Sequence, residues 1–144
     1  MGRAIGMVEL SSIARGIETS DSMLKAAQVE LLRSVTVCPG KYMVIVGGDT
    51  GAVRASLEAG KAAGGEFVVD TLLIPSVHEQ VFPAISGTVE VTDPQAVGVI
   101  EYYSIASAIE AADAAAKAAQ ITLIEVRTCY AIGGKGFVVL TGDV

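Results

Sequence analysis

The chain has 144 residues, 51% of them hydrophobic and 18% charged, with a formal net charge of −6. An acidic balance with no Lys/Arg cluster argues against a phosphate-backbone partner, so no nucleic acid is expected. No uncharged apolar stretch reaches the roughly 18–20 residues of a bilayer span, and the N-terminus has no signal-peptide core, so a cytoplasmic protein with no membrane partner is expected.

Residues 4–10 form an apolar run that predicts a strand, and Ser11-Ser12 can cap a helix. Ile13, Ile17, Leu24 and Ala27 then recur at helical spacing through about residue 28. Leu31–Cys38 and Lys41–Gly47 are β-rich runs joined by a tight Pro39-Gly40 turn. Asp49 is a good N-cap for a helix over about 50–63, ended by Gly64-Gly65. Phe67–Ile74 reads as a fourth strand stopped by Pro75. The order β-α-β-β-α-β is a split β-α-β arrangement of the α/β (α+β) class, an antiparallel sheet with helices on one face.

After a short stretch with Gly87 and Asp93-Pro94 as breakers, the chain repeats itself. Residues 4–28 and 96–120 agree at 13 of 25 positions, including Gly6/Gly98, Glu9/Glu101, Ile13/Ile105, Asp21/Asp113 and Lys25/Lys117. Gly40-Lys41 then matches Gly134-Lys135, and Gly48-Asp49 matches Gly142-Asp143, at an offset two residues longer. A duplication with a two-residue insertion in one loop accounts for this agreement. The expected organisation is a first domain over 1–86, a linker over 87–95 and a second domain over 96–144. Thr50 to Ile85 has no counterpart in the second copy, which therefore leaves an apolar strand edge open. A piece of a longer product is the favoured explanation, with cover from neighbouring subunits as the alternative.

The two copies, with their strand, helix, "KAA", strand, Gly-Lys, strand and "GD" pattern, resemble the bacterial microcompartment shell domain. The first copy resembles it over its whole length and the second over the first half. Among tandem-domain members the chain is most similar to trimeric shell proteins of propanediol-utilisation compartments. The resemblance implies a homotrimer, pseudohexagonal in outline, that tiles edge to edge with other microcompartment shell proteins around metabolic enzymes. It places Lys25 and Lys117 at tile edges, where an apolar stem packs and the ammonium reaches a carbonyl of the neighbouring tile. Without the resemblance, both read as solvated helix lysines.

The resemblance also places the turns Cys38-Pro39-Gly40-Lys41 and Gly133-Gly134-Lys135 around a pore on the symmetry axis. It implies that three Cys38 thiolates, one per chain, hold a [4Fe–4S] cluster there, with encapsulated redox enzymes as electron partners. Turn N–H groups near Gly40 would bond the cluster sulfurs, and Lys41 would partly offset the cluster charge. From residue types alone, Cys38 reads as a small apolar residue ending a strand. Cys129, one position before the residue aligned with Cys38, reads as core.

No residue set points to catalysis, so no enzyme activity is expected. Glu9 and Glu101 could form an interface ion pair, but neither has an evident acid/base partner. His78 has no Cys or second His nearby for a metal site, and a structural role is expected. Gly47-Gly48-Asp49-Thr50-Gly51 before a helix lacks the P-loop Lys-Ser/Thr, and Asp49 would repel phosphate. Two alternatives to the cluster-bearing tile follow: a metal-free tile whose pore passes small metabolites, and a small α/β regulatory protein that binds a nucleotide at the glycine-rich turn.

Overall fold

The computed structural model describes residues 3–144, which divide into two compact units meeting at Val77/His78. The first unit is built from β1 (Ala4–Leu10), α1 (Ile13–Ala26), β2 (Glu30–Val37), β3 (Lys41–Gly48), α2 (Thr50–Gly64), a 3-10 turn (Gly65–Phe67) and β4 (Val68–Ile74). Its strands form one antiparallel sheet in the order β2-β3-β1-β4. Val8, Leu10, Val44 and Val46 from one sheet face cluster with Met23 of α1 and Val53 and Leu57 of α2, so both helices lie on that face. This is the split β-α-β arrangement expected from the sequence.

Local chemistry sets the helix ends. The Ser12 hydroxyl accepts from the Arg15 N–H and the Asp49 carboxylate from the Gly51 N–H, as N-cap residues do. Gly65, at φ 53°, ends α2 with its N–H donating to the Lys61 carbonyl.

The face that α1 buries differs from the expected apolar stripe. Gly16, Thr19, Ser20 and Met23 are buried, whereas Ile13, Ile17 and Leu24 are exposed. The cause is close packing against β3: a Cβ at Gly16 would lie 2.5 Å from Cβ and Cγ of Tyr42. Helical spacing alone does not say which of two stripes faces the sheet. Here the small residues do, because the Tyr42 ring occupies the space above β3. The ring hydroxyl lies 2.9 Å from Ser34 Oγ, which in turn donates to Ser20 Oγ at 3.0 Å.

The second unit contains α3 (Val81–Ser86), β5 (Ala96–Tyr102), α4 (Ile105–Ala118), β6 (Ile121–Arg127) and β7 (Gly136–Gly142). Its antiparallel sheet has the order β5-β7-β6, the same arrangement as β1-β3-β2. Even the irregularities repeat: register shifts fall between Leu31 and Arg33 and between Leu123 and Glu125, 92 positions apart. The helix-on-sheet contact is solved with the sizes reversed. Ala108 stands where the first copy has Gly16, and Gly136 stands where it has Tyr42, leaving 2.7 Å between a Cβ at Gly136 and the Ala108 Cβ.

Two features of the second unit bear on the expected domain boundaries. The segment from His78 to Ser86, read in the sequence as the tail of the first domain, packs through α3 on β6 and α4. Among the described residues, no strand pairs with β5 on the side where β1 pairs with β4, and Val97 and Val99 of β5 are exposed. This is the open apolar edge that the sequence comparison anticipated.

Candidate functional site

Hairpin formation places the turn Cys38-Pro39-Gly40 between β2 and β3, with Cys38 partly buried and the Cys38–Pro39 peptide cis. Gly40 has φ 71°, a backbone conformation that costs glycine little, and nothing lies within 4 Å of where its Cβ would be. The space beside the turn is open. Among the described residues, no group of three or more His, Cys, Asp or Glu side chains gathers as metal ligands. Among the described residues, Cys38 is thus the one accessible cysteine thiol.

Lys41 is not free to face the turn. Its ammonium pairs with Glu9, a buried carboxylate on β1. The sheet register dictates this contact: Glu9 sits opposite Met43, so Lys41 is its diagonal cross-strand neighbour. The second copy repeats the pair. Glu101 sits opposite Phe137, and Lys135 Nζ donates to Glu101 Oε1 at 2.8 Å. Both glutamates therefore have lysine partners inside their own unit. Lys41 is thus anchored by Glu9 at the base of the turn.

The two pairs differ in environment. Glu9 and Lys41 are largely shielded, whereas Glu101 and Lys135 are solvated. The hydrogen bond that the Lys135 ammonium donates to Glu101 holds its pKa above the ordinary value, and the Tyr103 ring lies 5.0 Å from Nζ. A cation over an aromatic face is favoured by the ring quadrupole.

The β6–β7 turn of the second copy is longer. Cys129 is buried, as expected for a core residue, and Tyr130 is exposed. Tyr130 (φ 69°), Ala131 (φ 57°), Gly133 (φ 63°) and Gly134 (φ 84°) all occupy the left-handed region. Glycine accepts this readily, but tyrosine and alanine pay a steric cost.

The paired helix lysines occupy matching places. Lys25 Nζ donates to Asp21 at 2.6 Å and Lys117 Nζ donates to Asp113 at 2.6 Å, each one turn apart. Asp113 also accepts the His78 backbone N–H at 2.7 Å. His78 Nδ1 accepts from the Gln80 N–H at 3.3 Å, a local structural contact. The Gln80 side chain then bonds the Ile121 carbonyl and the Leu123 N–H of β6. Sequence reasoning missed Gln80 because its partners lie more than forty residues away and leave no local signal.

The glycine-rich turn before α2 is already satisfied by the protein. Asp49 caps the Gly51 N–H at 2.9 Å and the Thr50 hydroxyl donates to the Pro75 carbonyl at 2.9 Å. A carboxylate at the helix start opposes a phosphate there, which disfavours the nucleotide alternative. No helix among the described residues is long and apolar enough to cross a membrane.

Comparison with known proteins agrees with this duplicated architecture. A family profile described as "BMC domain" matches residues 4–77 and 96–144. The chain is 49% identical to "Bacterial microcompartment shell protein PduT" of Citrobacter freundii over 144 residues, covering 100% of this chain and 78% of that one. It is 40% identical over 88 residues to "Carboxysome shell protein CsoS1" of Prochlorococcus marinus strain SARG, covering 59% of this chain and 85% of that protein. A crystal structure of a microcompartment protein from Desulfitobacterium hafniense DCB superposes with a TM-score of 0.95 at 53% identity, covering 100% of this chain and 80% of that chain.

Proposed function

The chain belongs to the BMC-domain family as a tandem microcompartment shell protein, and we propose that three copies form a pseudohexagonal tile whose axis holds one [4Fe–4S] cluster through Cys38. The tile packs edge to edge with other shell proteins of a cytoplasmic microcompartment through Lys25 and Lys117. The observation that carries the tile is two BMC-domain matches in one chain, with similarity over the whole of this chain to a microcompartment shell protein. Six domains then come from three chains, and the two copies alternate around the axis.

The cluster assignment is supported by the single accessible thiol at the β2–β3 turn. Iron–sulfur clusters take cysteine thiolates as ligands, and three symmetry-related Cys38 residues supply three of them. The open space beside Gly40 suits a bulky group next to the turn. When bound, such a group supplies one-electron chemistry, fitting electron transfer to enclosed redox enzymes or delivery of clusters across the shell. Pro39, Gly40, Gly133, Gly134 and Lys135 line the opening around it. Lys41, tied to Glu9, braces the base of the hairpin.

Anaerobic reconstitution with iron and sulfide tests this reading by visible absorption, EPR and iron counting. The expected result is about four irons per trimer, lost in Cys38→Ser. A colourless, iron-free trimer after reconstitution overturns the cluster and leaves a metal-free tile with a metabolite pore.

A further inference from the structure

The two copies carry the same Asp–Lys pair on their first helices, yet the surroundings differ. The Asp21 and Lys25 side chains are 61% and 75% exposed, an ordinary solvated pair. The Asp113 side chain is only 10% exposed and that of Lys117 is 46%. Asp113 divides its oxygens between two donors: Oδ2 takes the Lys117 ammonium at 2.6 Å, and Oδ1 takes the His78 N–H at 2.7 Å.

His78 opens the segment that covers the outer edge of β6. Gln80 Nε2 donates to the Ile121 carbonyl at 3.1 Å, and Gln80 Oε1 accepts from the Leu123 N–H at 2.8 Å. Further along, the Val89 N–H donates to the Ile124 carbonyl at 2.8 Å. One buried carboxylate thus joins the helix lysine to the start of an edge cover.

We propose that Asp113 is a positioning residue that fixes the Lys117 ammonium and couples its place to the His78–Val89 cover, whereas Asp21 leaves Lys25 adjustable. The inference rests on the reading of both lysines as tile-edge residues, and it deepens that reading by making the two kinds of edge unequal. Charge-assisted bonds to a shielded carboxylate are stronger than a solvated pair. A lysine already held loses less rotamer entropy on docking.

Asp113→Asn separates the two jobs, because the amide keeps an oxygen for the His78 N–H and removes the charge that holds Lys117. Asp113→Ala removes both, and Asp21→Asn is the control in the first copy. Side-chain NMR relaxation at lysine Cε and amide exchange at His78 are measured on the full chain, along with the critical concentration for sheet formation. In the parent protein, Lys117 should be more ordered than Lys25. Asp113→Asn should abolish that difference, leave His78 exchange nearly unchanged and raise the critical concentration about tenfold, while Asp21→Asn changes it less than about twofold. Asp113→Ala should also speed His78 exchange about tenfold or more. Equal order of the two lysines in the parent protein, or equal effects of Asp113→Asn and Asp21→Asn on assembly, would overturn the proposal. If lysine order behaves as stated but no variant alters sheet formation, the positioning stands and the tile-edge reading fails.

Discussion

Gly16→Ala is a sharp test of how the first copy is packed. The added methyl would lie 2.5 Å from Cβ and Cγ of Tyr42, atoms anchored close to the backbone of β3. Real Cβ contacts do not come that close, so α1 must lift or the ring must move. Overpacking of this kind costs about 1–3 kcal/mol, and the short distance argues for the upper end. Alanine in a helix interior returns about 1 kcal/mol relative to glycine. A net loss of about 2 kcal/mol follows, which lowers the melting temperature of a unit this size by roughly 8–16 °C. Thermal unfolding followed by circular dichroism measures it. The second copy supplies the control, because it pairs Ala108 with Gly136 at the same place. In a Tyr42→Gly background, Gly16→Ala should therefore change sign and stabilise by up to about 1 kcal/mol. A Gly16→Ala variant as stable as the parent, or one equally destabilised with Tyr42 removed, would refute the packing argument.

Three further outcomes are expected. Glu9→Gln leaves the shielded Lys41 ammonium without its carboxylate and should cost about 3 kcal/mol in urea unfolding, while Glu101→Gln, at a solvated pair, should leave the midpoint essentially unchanged. Lys135 should titrate above an ordinary lysine in an NMR pH series and return toward it in Glu101→Gln, since the Glu101 hydrogen bond raises its pKa. With the folded pKa raised, whatever the pair adds to stability is present at neutral pH and lost as pH rises through the Lys135 titration. Ser104→Ala removes the acceptor for the Ser107 N–H and should cost about 1 kcal/mol of stability in the second unit.

The duplication was legible because it rests on identities that need no structure, and the strands followed from runs of apolar residues bounded by Pro and Gly. The exposed stripe of α1 was not. Ile13, Ile17 and Leu24 have the right spacing for a core face, but the choice of face depends on a ring forty-two residues into the chain. The Glu9–Lys41 and Glu101–Lys135 pairs required the sheet register, which a sequence without paired strands does not reveal. Cys38 stood out through resemblance rather than through its surroundings, for a single cysteine at a hairpin turn carries no chemistry by itself. Asp113 was visible as a repeat of Asp21, and only the fold distinguishes a buried carboxylate with two donors from a solvated one.

Assembly of three copies of this chain into one tile has a direct physical signature. Light scattering coupled to gel filtration tests it most directly, supported by electron microscopy of assembled sheets. The expected particle has three times the 14.7 kDa chain mass and forms hexagonally ordered sheets on concentration. A protein that stays monomeric at every concentration, with no sheets, would contradict it.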